Sequence, residues 1–373
     1  MPSFHPPRRL LLGPGPSDVP QRILDALARP TIGHLDPAFV GMMDALKGLL
    51  RHAFQTSNAL TIPVSAPGSA GMEACFVNLI EPGDTVIVCR NGVFGGRMRE
   101  NVLRVGATPV MVDDDFGQPV DPEKVEAALR ANPGAKAVAF VHAETSTGAR
   151  SDAATLCRLA REHGALSIVD AVTSLGGIEL DVDGWGIDAI YSGSQKCLSA
   201  PPGLSPLSFS SRATEVLKAR KTPVQSWFLD LSLVMAYWDG AGGRSYHHTA
   251  PVNMLYALHE SLTMLHEEGL QTAWARHRAN HDRLHDGLQR LGLELLVDAR
   301  YRLPQLNAVI VPEGVDEAGV RRSLLNDHDI EIGAGLGPLA GKIWRIGLMG
   351  ASSRPEAVDR VLAALSQALG RSA

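Results

Sequence analysis

Short apolar runs alternate with amphipathic runs through the middle of the chain. Four apolar runs rich in β-branched residues predict strands, which cover residues 86–89, 137–142, 166–169 and 189–191. The longer runs between them have apolar residues at helical spacing and predict helices, which cover residues 96–105, 121–131 and 153–163. Because continuous apolar strands separated by helices form parallel sheets covered on both faces, the pattern predicts an α/β domain.

The segments on either side complete the predicted order of elements. Before the alternating region, the pattern predicts helices over residues 17–29, 38–54 and 72–79. After it come a returning strand at 204–210, an aromatic-rich segment at 227–238, and helices at 212–219, 252–266 and 272–291. The last part predicts a small α/β unit with strands at 295–297, 308–311 and 343–347 and helices at 316–325 and 355–369. We therefore predict an arm that contacts a partner subunit, a large domain and a small C-terminal domain, over residues 1–16, 17–266 and 267–373.

Unusual residues gather at the carboxyl ends of the predicted strands. They are the segments 91–95 and 144–148, the acidic residue Asp170 and the lysine Lys196. Open sheets of this type bind their ligands beyond the carboxyl ends of the strands. The four loops are therefore expected to converge on one site.

Lys196 and Asp170 are the residues in these loops with the clearest chemistry. A lysine on a rigid turn after a strand can form a Schiff base with an aldehyde cofactor if its pKa is lowered; the alternative is a solvated loop lysine. An aspartate at a strand end can hold a pyridine nitrogen protonated; the alternative is a turn or cap residue.

A third feature is the stretch Gly68-Ser69-Ala70, which opens a predicted helix. Free backbone N–H groups and the positive end of the helix dipole can hold a phosphate there. The alternative is an ordinary helix capped by serine. With Lys196 and Asp170, a phosphate loop completes the set of groups that pyridoxal 5′-phosphate (PLP) needs.

Composition narrows the class of protein. The net charge is −5 and no basic block is present, so we expect no nucleic-acid partner. Four cysteines without CxxC spacing favour a reducing compartment and no metal site. No apolar run reaches the roughly 18 residues of a membrane span, so a cytoplasmic protein with no membrane contact is expected.

Several motifs together resemble one known family. They are LLGPGPS (11–17), TSTG (145–148), IVDAVTSLGG (168–177), YSGSQKCLSAPPG (191–203), YHHTAPV (246–252), GLGP (335–338) and RIGLMG (345–350). The chain resembles class V (fold type I) PLP-dependent aminotransferases, in particular the alanine–glyoxylate and serine–glyoxylate (serine–pyruvate) enzymes. YSGSQK followed by APPG is the most specific of these motifs, and the resemblance covers nearly the whole chain.

The resemblance implies a large domain with a mostly parallel seven-stranded sheet between helices, a small C-terminal α/β domain, and a homodimer with shared active sites. It also implies the catalytic pair. Lys196 would carry the cofactor and move a proton as acid and base, and Asp170 would pair with the pyridine nitrogen.

The remaining site residues follow from the same resemblance. Phe94 would stack on the cofactor ring, and Thr145 would form a hydrogen bond near the ring's 3-oxygen. The phosphate would be bound by Gly68, Ser69 and Gln195. The predicted cofactor-binding residues also include Ala70 and Val172. From the neighbouring subunit, Tyr246 and Thr249 would reach the phosphate, and Gly33 and His34 would approach the substrate. Arg345 would hold the substrate α-carboxylate with its two-pronged guanidinium.

Some of these positions have ordinary structural alternatives. The alternative for Phe94 is an aromatic residue of the core, for Arg345 an arginine on a surface strand, and for His34 a histidine in a turn. Pro67 is a departure from the family's phosphate loop, because proline lacks an N–H group.

The implied activity is transfer of an amino group from a small amino acid, alanine or serine, to glyoxylate by a ping-pong Schiff-base mechanism. No second arginine for a side-chain carboxylate can be identified from the sequence. Alternatives within the family are ureidoglycine or aspartate as donor, or pyruvate as acceptor, since pockets diverge within one fold. Two other classes are a cysteine desulfurase or lyase and a non-catalytic homologue; the intact Lys196–Asp170 pair argues against the latter.

Overall fold

The structure is a computed structural model, and it describes residues 1–239 and 244–371. These residues form fourteen strands: β1 (Leu10–Leu11), β2 (Leu60–Val64), β3 (Thr85–Arg90), β4 (Thr108–Asp113), β5 (Ala137–Val141), β6 (Ala143–Glu144), β7 (Ala149–Arg150), β8 (Leu166–Asp170), β9 (Ala189–Tyr191), β10 (Ser205–Phe209), β11 (Leu306–Ile310), β12 (Ile330–Glu331), β13 (Gly333–Ala334) and β14 (Ile343–Gly347). They also form twelve α-helices: α1 (Gln21–Leu27), α2 (Pro37–Phe54), α3 (Gly68–Leu79), α4 (Val93–Arg104), α5 (Pro122–Ala131), α6 (Ala153–Glu162), α7 (Ser211–Lys218), α8 (Leu231–Trp238), α9 (Val252–Glu268), α10 (Leu270–Arg290), α11 (Glu317–His328) and α12 (Pro355–Leu369).

Seven strands form the central sheet in the order β2-β10-β9-β8-β5-β3-β4. Strand β10 runs antiparallel to both of its neighbours, and the other strand pairs of this sheet are parallel. The predicted mostly parallel sheet is therefore confirmed. The sequence pattern missed its two edge strands: β4 is only partly buried, and β2 contains Pro63, which an edge strand accepts because one side of it needs no hydrogen-bond donor.

Helix positions agree with the apolar spacing in most places. In α2 the five predicted apolar positions are all buried: Phe39, Met43, Leu46, Leu50 and Ala53. Asp36 fixes the start of this helix, because its carboxylate accepts a 2.8 Å hydrogen bond from the Ala38 N–H. Helix α3 starts at Gly68, one turn before the predicted residue 72.

The sequence predicts no element for one segment that contains a helix, and it predicts one strand that does not form. The aromatic-rich segment at 227–238 contains helix α8, whose Tyr237 and Trp238 are fully buried. The predicted strand at 295–297 does not form as a strand: within the described residues this segment makes one isolated bridge, from Leu295 to Val309. It pairs with the edge of β11 that β14 leaves free through two backbone hydrogen bonds, from the Leu296 N–H to the Ala308 carbonyl over 2.9 Å and from the Ile310 N–H to the Glu294 carbonyl over 2.8 Å.

A second, smaller hydrophobic core surrounds the three-stranded sheet β11-β14-β13. Helices α10, α11 and α12 cover it, and so does the arm, since β1 pairs with β12 and buries Leu10 and Leu12 in this core. The domain boundaries and the arm's contact with a partner subunit stay predictions.

No helix in the described part of the chain is long and apolar enough to cross a membrane. In residues 1–239 and 244–371, no three His, Cys, Asp or Glu side chains are grouped so as to hold a metal ion.

Candidate active site

A cavity of about 170 Å³ lies at the carboxyl ends of the central strands. The loops that follow β3, β5, β8 and β9 all contribute to it, together with the start of α3. Eight predicted site residues line it: Gly68, Ser69, Phe94, Thr145, Asp170, Val172, Gln195 and Lys196. The structure therefore brings the four singled-out loops to one place.

Lys196 lies on a turn that is held from several sides. The Ser199 N–H and the Ser17 hydroxyl both donate to its carbonyl, over 3.0 and 2.7 Å. Its amine donates to the carbonyl of Pro14. Burial lowers the pKa of this amine to about 8, so a nucleophilic neutral form is accessible near neutral pH.

Gly15 lets the arm pass directly over this lysine. A Cβ atom at Gly15 would lie 2.6 Å from the Cδ and Nζ atoms of Lys196, and the backbone φ of +101° favours glycine. The arm therefore forms one wall of the lysine's surroundings.

Asp170 is the last residue of β8 and its carboxylate is buried. Its Oδ1 accepts from the Val172 N–H over 2.9 Å, and its Oδ2 accepts from the Tyr191 hydroxyl over 2.8 Å. Within the described residues these hydrogen-bond donors are neutral, and burial raises the pKa of the carboxyl to about 6. A cationic group in the cavity would lower that pKa again.

The start of α3 forms another wall of the cavity. Gly68 and Ser69 are its first residues, and the N–H groups of a first helical turn have no partner within the helix. Pro67 stands at the N-cap, before this turn, so its missing N–H is not one of the turn's donors. Ala70 does not line the cavity, and its N–H donates to the Pro67 carbonyl over 2.7 Å.

Gln195 also faces this region with an unsatisfied group. Its Oε1 atom is buried and has no hydrogen-bond partner within the described residues. A buried polar atom without a partner is costly, so a bound group with a donor would stabilise it.

Phe94 lies near the start of α4, half-buried at the cavity. The guanidinium carbon of Arg97 lies 4.7 Å from the centre of its ring. Arg97 also lines the cavity, so the site contains an arginine that sequence reasoning missed. The available signal was its position three residues after Phe94, which puts both on one helix face.

Arg345 is a buried side chain of β14, the middle strand of the small sheet, and not a surface arginine. Its Nε donates to the Ala334 carbonyl over 2.7 Å, and its Nη1 donates to the Thr145 carbonyl over 3.1 Å. Burial lowers the pKa of its guanidinium to about 10. Arg345 thus connects the small sheet to the loop that follows β5.

The remaining predicted residues lie elsewhere, and we call them the exposed rim: Gly33, His34, Tyr246 and Thr249. His34 is half-buried and the other three are exposed. None of them lines the cavity described above. The His34 and Tyr246 rings lie 5.3 Å apart, and the Tyr246 hydroxyl is 3.3 Å from the Thr249 Oγ1. Tyr246 is 61% exposed, so its predicted role at a partner's phosphate stays a prediction.

Two further buried groups at the site were missed from the sequence. Tyr191 donates to Asp170, although only its place in an apolar strand was noticed. Glu144 is fully buried beside Thr145, and burial raises the pKa of its carboxyl to about 7. Its position directly before the TSTG motif was the available signal.

The cysteines bear on the desulfurase alternative, which needs an accessible thiolate. All four are free and buried. The Cys197 Sγ donates to the Thr173 carbonyl over 3.4 Å, and burial raises the pKa of this thiol to about 12. None of the four is therefore available as a reactive sulfur carrier.

Comparison with known proteins agrees with this geometry. The family model for aminotransferase class-V matches residues 10–351. The chain is 42% identical over 365 residues to the alanine–glyoxylate aminotransferase of Oryctolagus cuniculus, covering 97% of this chain and 93% of that protein. It is 39% identical over 383 residues to the (S)-ureidoglycine–glyoxylate transaminase of Bacillus subtilis (strain 168), covering 98% and 91%.

A solved structure extends the agreement to the fold. The alanine–glyoxylate aminotransferase from Nostoc sp. superposes with a TM-score of 0.97 at 47% identity, covering 99% of this chain and 97% of that one. The expected fold type I architecture is therefore confirmed. By its sequence, its fold and the convergence of loops at one cavity, the chain belongs to the class-V aminotransferase family of enzymes.

Proposed function

We propose that this chain is a PLP-dependent aminotransferase that moves the amino group of a small amino acid, alanine or serine, to glyoxylate. The observation that carries the proposal is the pairing of Lys196 with Asp170 in one cavity. An amine whose pKa is lowered to about 8 faces the same space as a buried carboxylate with only neutral hydrogen-bond donors. The named enzymes most similar in sequence include an alanine–glyoxylate aminotransferase.

The residues around the cavity fit PLP. The buried Asp170 carboxylate suits a protonated pyridine nitrogen, which would supply the missing positive charge. The free N–H groups at the start of α3 suit a phosphate, and the unpartnered Gln195 lies on the same cavity. Lys196 is the one lysine that lines this cavity.

When bound, PLP supplies an aldehyde that exchanges amino groups and a ring that accepts electrons from the substrate's α-carbon. Lys196 Nζ would hold the cofactor before the substrate arrives, and afterwards move the proton of the substrate α-carbon. The amine of Lys196 is largely buried, which limits exchange of this proton with bulk water. Phe94 would keep the ring plane fixed, and Thr145 would orient its oxygen-bearing edge.

Arg345 is proposed to hold the substrate α-carboxylate. Its guanidinium is already oriented by two carbonyl oxygens, those of Ala334 and Thr145. A fixed guanidinium loses little entropy when it binds a carboxylate through two parallel hydrogen bonds. The substrate's α-carbon would then be presented to Lys196 in one orientation.

A second candidate donor is (S)-ureidoglycine. The Bacillus subtilis relative named for this donor is 39% identical, close to the 42% of the rabbit enzyme. Arg97 supplies a second guanidinium at the cavity, suited to a carbonyl or carboxylate on the substrate's side chain. Aspartate as donor and pyruvate as acceptor are compared with these substrates in the same spectroscopic experiment.

We also propose a homodimer in which the exposed rim serves the partner's cavity. Support comes from the exposure of large side chains near the rim, including Trp227 at 62% and Tyr246 at 61%. Large aromatic side chains that are exposed on one subunit often mark the surface that a second subunit covers. The cytoplasmic location stays a prediction, made from the lack of a long apolar run in the sequence together with the cysteine pattern.

The test is spectroscopic. The purified protein is loaded with PLP, and alanine, serine, aspartate and ureidoglycine are added separately. We expect a small donor to remove the visible band of the cofactor at the lowest concentration, and glyoxylate to restore it more effectively than pyruvate. Loading without a response to any donor would contradict the substrate assignment; absence of loading would contradict the cofactor assignment.

A further inference from the structure

Glu144 is a fully buried carboxyl group to which the proposed reaction assigns no role. Its Oε1 accepts two hydrogen bonds from Ser146, from the N–H over 2.9 Å and from the hydroxyl over 2.6 Å. Its Oε2 accepts from the Phe94 N–H over 3.3 Å. Glu144 therefore joins the loop after β5 to the start of α4.

Ser146 completes the same connection. Its hydroxyl oxygen accepts from the Val93 N–H over 3.0 Å. Val93 and Phe94 are the first two residues of α4, and the N-cap residue Gly92 has no side chain to satisfy their N–H groups. Glu144 and Ser146 thus cap α4 from a distant part of the chain, with a carboxyl at the positive end of its dipole.

The lack of a side chain at Gly92 leaves room for the Glu144 carboxyl group. A Cβ atom at Gly92 would overlap the Cγ and Cδ atoms of Glu144. The Gly92 backbone is extended, with φ of −176°, so the backbone allows alanine there, and the three atoms nearest to the added Cβ all belong to Glu144. The fit between Gly92 and Glu144 therefore gives a direct test of this contact.

The two segments that Glu144 joins both face the cofactor cavity. One presents the ring of Phe94, and the other presents Thr145, whose carbonyl holds Arg345 at 3.1 Å. Displacement of Glu144 would therefore move the proposed ring-stacking group and the proposed carboxylate-binding group together.

We propose that Glu144 is a positioning residue for the aminotransferase site: it fixes Phe94 relative to Thr145 and Arg345 by capping α4 from a distant segment of the chain. The inference rests on the proposed function, because it concerns how the same cavity holds cofactor and substrate. Glu144 itself is not among the described residues that line the cavity.

The first experiment compares Glu144→Ala and Glu144→Gln with the wild-type holoenzyme. We expect kcat/KM of Glu144→Ala to fall about 100-fold, the scale of a displacement of about 1 Å at a site. Both a lower kcat and a higher KM for the amino donor are expected, since both groups move. Glu144→Gln keeps an oxygen for Ser146 and should recover part of the loss. The induced circular dichroism of the bound cofactor should weaken in the same order.

The second experiment uses Gly92→Ala alone and combined with Glu144→Ala. Gly92→Ala should lower kcat/KM and the circular dichroism band as Glu144→Ala does, whereas the double variant should be no worse than Glu144→Ala. The matched control is Gly96→Ala on the same helix, where a Cβ meets no atom within 4 Å; it should behave as wild type. Thermal unfolding of the cofactor-free proteins should show the same non-additivity of Gly92 and Glu144.

The outcomes separate the two proposals. A wild-type protein that does not load PLP or answer any donor overturns the proposed function. A wild-type protein that works, with Glu144→Ala variants that keep the wild-type kinetics and circular dichroism band and lose only thermal stability, overturns the positioning role. Additive losses from Gly92→Ala and Glu144→Ala overturn the contact on which that role depends.

Discussion

Three side chains of the site, which we call the inner wall, contrast with the exposed rim around Tyr246. Lys196 and Asp170 line the cavity, and Arg345 does not line it but donates to the carbonyl of Thr145 beside it. Each side chain of the inner wall is fixed by hydrogen bonds within its own chain, and burial shifts the pKa of all three. In the rim, His34 lies near Tyr246 and Tyr246 near Thr249, and none of the four rim residues lines the cavity described above. One chain therefore prepares the reactive groups, whereas the rim has a binding role only if a second subunit approaches.

The sharpest test of the inner wall is Lys196→Ala. Removal of the amine takes away both the cofactor's attachment and the proposed proton carrier, so we expect kcat to fall by about 10⁴-fold, the upper range for acid–base catalysis. Steady-state transamination with alanine and glyoxylate measures it. Lys218→Ala, an exposed position at the end of α7, is the matched control and should keep full activity. Retention of a tenth of the activity by Lys196→Ala would show that another group does this work.

Asp170→Asn tests the charge of the inner wall with little change of shape. A neutral amide cannot balance a protonated pyridine nitrogen, so we expect kcat to fall about 100-fold, as when one partner of a buried charge pair is lost. Tyr191→Phe removes only a hydrogen bond to Asp170 and should cost about tenfold or less. Equal losses in the two variants would mean that orientation matters and charge does not.

The rim is tested with a Tyr246→Ala/Thr249→Ala variant. If these groups bind the partner's phosphate, the Kd for PLP should rise about tenfold to a hundredfold, since hydrogen bonds to charged groups are lost. Mixing this variant with Lys196→Ala under subunit exchange, at a PLP concentration that leaves the rim variant largely unloaded, should restore activity, because hybrid dimers contain one intact site. A mixture that stays as inactive as its parts would remove the rim from the partner's site.

The pH dependence of PLP loading is a smaller effect, and it depends on Lys196 and Asp170 and not on the rim. Loading needs the neutral Lys196 amine, whose pKa burial lowers to about 8, and an ionised Asp170, whose pKa burial raises to about 6. The loading rate should therefore rise with pH from below 6 and level off above 8, far below the ordinary lysine pKa of about 10.4. Stopped-flow growth of the visible band measures it. A midpoint near 10 would mean that the lysine is not desolvated.

The same contrast explains how far the sequence could be interpreted. The sequence predicted the parallel strands, the buried face of α2 and the convergence of loops on Lys196 and Asp170. Each of these features follows from a local pattern of apolar residues or from the residues at the end of a strand. The edge strands β2 and β4 were missed, since partial burial and Pro63 weaken that pattern.

Groups that act through distant contacts were harder to predict. Glu144 meets Phe94 fifty positions away in sequence, and no spacing rule connects them. Arg97 was overlooked because its place at the cavity depends on how α4 packs. The predicted strand at 295–297 was wrong because an apolar run does not reveal how far its pairing with a neighbouring strand will extend, and here the pairing stops at one bridge.

The most direct measurement is to load the protein with PLP, reduce it with borohydride and locate the modified lysine by peptide mass spectrometry. Reduction fixes the cofactor to the lysine that carries it. We expect the modification on Lys196 alone, and its loss when alanine is added before the reductant. Modification spread over surface lysines, or absent from Lys196, would contradict the assignment of this cavity as the aminotransferase site.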